Sequence, residues 1–137
     1  MMALRLLQRC EKGAAIVEFA ILAPAIFLLL IGTIEGSRML WTKQTLDEVA
    51  YSTARCMAVS STCGSAGAQK TYAVERAAGY GIAIAAAAVT PAANADCRGF
   101  PKSSRITINA PIGSVLSGFV PDFPTTIRSD ACYPQLS

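Results

Sequence analysis

The chain contains no histidine, which removes the side chain most often used as general base and metal ligand at neutral pH. Charge is also sparse, at 15% of residues. The carboxylates are scattered, and the adjacent pair Asp47 and Glu48 would point in different directions from a helix. No serine stands in a strand-to-helix nucleophile motif, and no glycine loop has phosphate-binding spacing. These absences leave no common enzyme class with its machinery, so neither catalytic residues, nor a metal, nor a cofactor is expected. A net charge of +3 is too small to predict binding to nucleic acid.

What the chain does have is a long apolar run. From Ala14 to Ile34 there are 21 residues with one ionisable group, Glu18. As a helix they would extend roughly 31 Å, about the hydrocarbon thickness of a bilayer. The run therefore reads as a transmembrane helix. Upstream, Arg5, Arg9 and Lys12 crowd a short polar leader, and the next basic residue is Arg38. Positive charge before the span predicts a cytoplasmic N-terminus and an exported remainder. A carboxylate one turn inside a span costs on the order of 3 kcal/mol, so Glu18 needs a partner or a route to the interface.

The string Gly13-Ala14-Ala15-Ile16-Val17-Glu18-Phe19 resembles the class III signal of type IV pilin-like proteins. In that family a basic leader ends in glycine, a prepilin peptidase cuts after it, and glutamate stands fifth in the mature chain with an aromatic residue next. The resemblance thus implies cleavage between Gly13 and Ala14 and assigns Glu18 and Phe19 to assembly. Within the superfamily the stretch from residue 13 to residue 58, with Pro24, Glu35-Gly36 and Ala54-Arg55, is most similar to the TadE-like minor pilins, or pseudopilins, of the tight-adherence (Flp) pilus system. The likeness is looser beyond it. The major pilins of that system are much shorter chains, so a large C-terminal domain points to the minor class. The partners implied are the prepilin peptidase, other major and minor pilin subunits, the inner-membrane assembly platform and membrane lipid.

Three parts follow: a cleaved leader, residues 1–13; a transmembrane helix, 14–34; and a periplasmic or extracellular pilin-like domain, 35–137. The leader is too short and too charged for a secretory signal with its own apolar region. Without it, nine basic and eight acidic residues remain, a nearly neutral mature chain. In pilin-like assemblies the glutamate pairs with the amino terminus of an adjacent subunit, which Ala14 would supply. The alternative is that Glu18 only snorkels to the cytoplasmic interface. Phe19 also reads as lipid-facing or packing bulk, Pro24 as an ordinary membrane proline or the place where the helix bends, and Trp41 as an anchor at the outer interface.

Beyond Ile34 a polar face persists, while Met39, Leu46, Val49, Ala50, Ala54 and Met57 recur at helical spacing, predicting one helix from Ala14 to about Val59. Ser60 to Gly67 is a loop by composition. Ala68 to Ala88 reads as a second, alanine-rich helix ended by Pro91. The period then changes. Arg105 to Ala110 and Thr126 to Tyr133 alternate as two antiparallel strands, with a short helix or turn at Ile112 to Phe119 between them and a third strand at Ala95 to Phe100. The expected class is α+β, with a second helix and a small antiparallel sheet packed on a long N-terminal one.

About 100 residues beyond the span are marginal for a large core. Cys56, Cys63, Cys97 and Cys132 would all lie in the oxidising periplasm, with Cys10 left in the leader. Four cysteines allow three pairings. The expected one joins Cys56 to Cys63 and Cys97 to Cys132, although spacing alone does not prove it. Neither redox nor zinc spacing is present. The functional expectation is a minor pilin of bacterial origin, single-pass in the inner membrane, that takes part in pilus assembly. Two other readings stay open: an uncleaved bitopic protein with a periplasmic binding module, and a membrane-anchored redox enzyme.

Overall fold

A computed structural model describes the backbone of residues 3–135 and the side chains of residues 13–135. The leader residues Arg5, Arg9, Cys10 and Lys12 lie outside the described side chains. Helix α1 spans Ala3–Val59 and passes through Pro24 without a break in its assignment. The chain divides into two compact units, residues 1–37 and 38–137.

In the second unit, α1 contributes Leu46, Val49, Ala50 and Ala54, all fully buried. Their spacing of three and four residues makes a single stripe. Thr53 joins that stripe at no cost in polarity, because its hydroxyl donates to the Val49 carbonyl at 2.7 Å. A one-turn 3-10 helix, Ser61–Cys63, then leads into α2, Ala66–Gly79. The Ser65 side chain caps α2 by accepting from the Ala68 amide at 3.2 Å. Ala73 and Ala77 are its buried residues, and with Ala50 and Ala54 they belong to one core cluster. Residues that carry only a methyl group let the backbones of such elements come close.

The second helix stops nine residues before the alanine-rich stretch ends at Ala88. Gly81 has φ +78°, the Ile82 amide bonds the Ala77 carbonyl at 3.0 Å and the Gly81 amide bonds the Ala78 carbonyl at 2.9 Å. This is a Schellman cap with glycine in the left-handed position, and it places Ile82 against the core. The run of alanines that follows is a good helix former with no helix to join. After a short 3-10 turn at Ala86–Ala88 it becomes strand β1, Val89–Cys97. Pro91, expected to end a helix, lies inside this strand. It is tolerated because β1 is an edge strand, where a missing amide can face the unpaired side.

Strands β2, Phe100–Pro111, and β3, Thr126–Pro134, complete an antiparallel sheet in the order β1-β2-β3. The two alternating stretches are thus strands, β2 being longer than expected at its start. The expected third strand at Ala95 to Phe100 is present in part: Ala95 to Cys97 end β1 and Phe100 begins β2, with a tight turn between them. Arg98 and Gly99, with φ of +53° and +85°, form a two-residue turn between the paired Cys97 and Phe100. Ser104, Ile106, Ile108 and Ala110 of β2 face inward with Ile127 and Ser129 of β3. Their register, Ile106 opposite Ala131 and Ala110 opposite Ile127, puts both strands' apolar sets on one face.

The two disulfides join Cys56 to Cys63, with Cα atoms 5.7 Å apart, and Cys97 to Cys132, 6.3 Å apart. The second links β1 to β3 across β2. Strands two apart in a flat sheet are separated by nearly 10 Å, so the hairpin end has to curl. Register shifts between Ala92 and Ala95 and between Ala95 and Cys97 supply the bend, with Asn94 and Lys102 at positive φ.

Candidate assembly site

Gly13 lies in the helical interior of α1, and a Cβ built on it would meet nothing within 4 Å. Ala14, Glu18 and Phe19 are exposed. Four residues separate Ala14 from Glu18, so the two stand one above the other on the same face of the helix, about 6 Å apart along its axis. Phe19 lies a further 100° around. Among the described residues Glu18 makes no ion pair.

The apolar side chains that follow are uncovered. Ile21, Leu22, Phe27, Leu28 and Leu29 are all more than half exposed, and an 18-residue window of the helix has a mean hydropathy of 2.6 with none of it buried. Such a surface is stable in lipid or against another apolar surface, not in water. Hydroxyls at its far end are satisfied within the helix: Thr33 donates to the Leu29 carbonyl and Ser37 to the Thr33 carbonyl, each at 2.8 Å. A polar group that bonds its own helix can enter hydrocarbon without a partner.

The second unit holds no comparable concentration of chemistry. A groove of about 430 Å³ runs between α1 and α2, lined by Tyr51, Arg55, Tyr72 and Arg76. Arg76 lies 3.9 Å from Glu48 across it. Lys43 pairs with Asp47 one turn along α1. No group of three or more candidate metal ligands occurs among the described residues.

On the outer face of the sheet, Arg105 grips Asp130 with two bonds of 2.8 Å, and the Thr107 hydroxyl donates to the same carboxylate at 2.9 Å. The hydrogen bonds from Arg105 hold the Asp130 carboxyl below its ordinary value, against the opposing effect of desolvation. The unfolded chain therefore binds the proton more readily than the folded one. The stabilisation is complete above the unfolded carboxylate value of about 3.9 and is lost as pH falls through the lower folded value. Asp130→Asn should accordingly unfold more easily than the parent at neutral pH, and the difference should shrink as pH falls below the unfolded carboxylate value of about 3.9. Urea titrations of both chains across that range would check this.

One apolar feature escaped the sequence reading. The segment between β2 and β3 is the expected short helix, a 3-10 turn at Val115–Gly118, and what the sequence does not show is that Phe119 beside it stands exposed. Its only signal in the sequence was a set of apolar residues without period in a stretch rich in glycine, serine and proline.

No curated protein and no solved structure matches the chain. A family model described as TadE-like protein matches residues 13–55. The match begins at the glycine before Ala14, takes in Glu18, Phe19 and the whole apolar run, and ends one residue past the buried Ala54. The similarity to the TadE-like family thus covers the N-terminal helix, 43 of the chain's 137 residues.

Proposed function

We propose that the chain is a minor pilin or pseudopilin of a tight-adherence pilus, cut by a prepilin peptidase between Gly13 and Ala14. Residues 14–34 hold the subunit in the inner membrane, with the leader on the cytoplasmic side and residues 38–137 in the periplasm. Glu18 then pairs with the Ala14 ammonium of a neighbouring subunit and sets the register of packing. No bond is made or broken by the chain itself. It works by storage in the membrane, registration against other pilins and presentation of its second unit.

The observation that carries this reading is the glycine. Position 13 is helical, open on all sides and not left-handed, so the fold has no use for glycine there. Alanine would favour the helix by about 1 kcal/mol. A peptidase pocket that admits only hydrogen gives the residue a reason to be present. Five residues on, the Glu18 carboxylate stands exposed on an otherwise apolar helix.

The test is the N-terminal mass of the chain from cells with and without their prepilin peptidase, for the parent and for Gly13→Ala. The expected result is a chain that begins at Ala14 only when peptidase and Gly13 are both intact. Because the substitution favours the helix, loss of processing could not be ascribed to misfolding. Retention of residues 1–13 in every case would leave an uncleaved bitopic protein as the better account.

A further inference from the structure

The loop between β2 and β3 presents apolar side chains that its own packing does not need. Val115, Phe119 and Val120 are 63%, 82% and 45% exposed. The loop is nonetheless well tied. The Ile112 amide closes its neck on the Thr125 carbonyl at 2.8 Å, and the Phe119 and Val120 amides both bond the Leu116 carbonyl, at 3.0 and 2.9 Å. The Ser114 side chain caps Leu116 at 3.1 Å. A loop ordered by its own backbone while turning a phenylalanine outward is built to meet a surface.

Its place in the second unit says which surface. β3 runs beside α1 in the same direction, since Lys43 Nζ lies 3.5 Å from Ser129 Oγ and the Tyr51 ring lies 6.0 Å from that of Tyr133. Back from Ser129 to the start of β3 at Thr126 is about 10 Å of strand. Back from Lys43 to Arg38 is about 7.5 Å of helix. The loop therefore projects from the end of the unit at which α1 enters it. Leu40 and Trp41, 66% and 60% exposed, belong to that same end. In the chain, Ile34, the last residue of the apolar run, precedes Arg38 by only four positions. Between Ile112 and Thr125 there is a single charged residue, Asp122.

We propose that Val115, Phe119 and Val120 insert into the bilayer interface, so that the second unit touches the periplasmic membrane surface as well as being tethered to it. An exposed aromatic and two aliphatic side chains suit the headgroup and acyl boundary, which such groups enter to a depth of about 5–10 Å. Tethering makes the contact intramolecular, so a patch too small to bind membranes by itself is held there by its high effective concentration. The inference rests on the reading of residues 14–34 as a membrane span, and the experiment tests the two separately.

Two single-tryptophan chains are made in full length by combining Trp41→Phe with either Phe119→Trp or Ile26→Trp, all at exposed positions where the fold tolerates an aromatic. Each is reconstituted in phosphatidylglycerol-containing vesicles whose acyl chains are brominated either near the carbonyl end or near the methyl end. Quenching of residue 26 chiefly by the deep bromines establishes the span. With that in hand, Phe119→Trp is expected to lose most of its emission to the shallow bromines and little to the deep ones. Emission from position 119 that neither lipid quenches would overturn the interface contact while leaving the span intact. Blue-shifted but unquenched emission would also overturn it, and would assign the loop to a protein neighbour. Failure of residue 26 to be quenched would remove the span and the inference together.

Discussion

Replacing Cys97 and Cys132 together with serine should lower the stability of the second unit by about 4 kcal/mol in the chain-entropy account of cross-links. The bridge closes 35 residues of sequence and ties β1 to β3, which do not pair directly. A unit of this size has a net stability of about 5–15 kcal/mol, so the loss is a large share of the total. It corresponds to a fall in melting temperature of roughly 20 °C. The Cys56 to Cys63 bridge spans seven positions and joins segments that α1 and the following 3-10 helix already bring together. Its double serine variant should lose only about 2.5 kcal/mol. Denaturant unfolding of the full chain in micelles, followed by near-ultraviolet circular dichroism, would measure both. Equal losses from the two pairs would show that the β1–β2 hairpin end keeps its curl without help, through the bulges at Ala92 to Cys97 alone.

This contrast also shows where the sequence was legible and where it was not. The buried stripe of α1 could be read from Leu46, Val49, Ala50 and Ala54, because helix period and burial are the same fact seen twice. β2 and β3 could be read from the alternation of Arg105 to Ala110 and of Thr126 to Tyr133. The region between them and α2 could not. Ala85 to Ala88 is as good a helix sequence as any in the chain, and alanine is a poor strand former. What ends the helix is one left-handed residue, Gly81, and what makes a strand of Val89 to Cys97 is the partner it finds in β2. Local propensity carries no knowledge of that partner. Arg98-Gly99 falls inside the strand expected from Ala95 to Phe100, because composition alone does not show that the chain reverses there to pair Cys97 with Phe100. The candidate assembly site lies at the opposite extreme. Gly13, Ala14, Glu18 and Phe19 fall within seven consecutive residues, so their spacing is legible without any fold, and the structure adds only that all four stand uncovered.

Glu18→Gln should leave processing intact and remove the chain from assembled pili. The substitution keeps the size and shape of the side chain and takes away only its charge. If the Ala14 ammonium of a neighbour is to be buried among apolar helices, it needs that charge. Removing one partner of a buried ion pair costs about 3–5 kcal/mol, because the other is left uncompensated in low dielectric. Incorporation should therefore fall by roughly two to four orders of magnitude. Glu18→Asp keeps the charge on a shorter stem and should recover part of the loss. The measurement is the amount of chain beginning at Ala14 in sheared pili against the amount remaining in membranes, for the parent and both variants. Gln and parent chains equally abundant in pili would assign Glu18 to the lipid interface, where a carboxylate one turn from the helix start reaches water without a partner. A Gln chain that still carries residues 1–13 would instead place the glutamate in recognition by the peptidase, ahead of any packing between subunits.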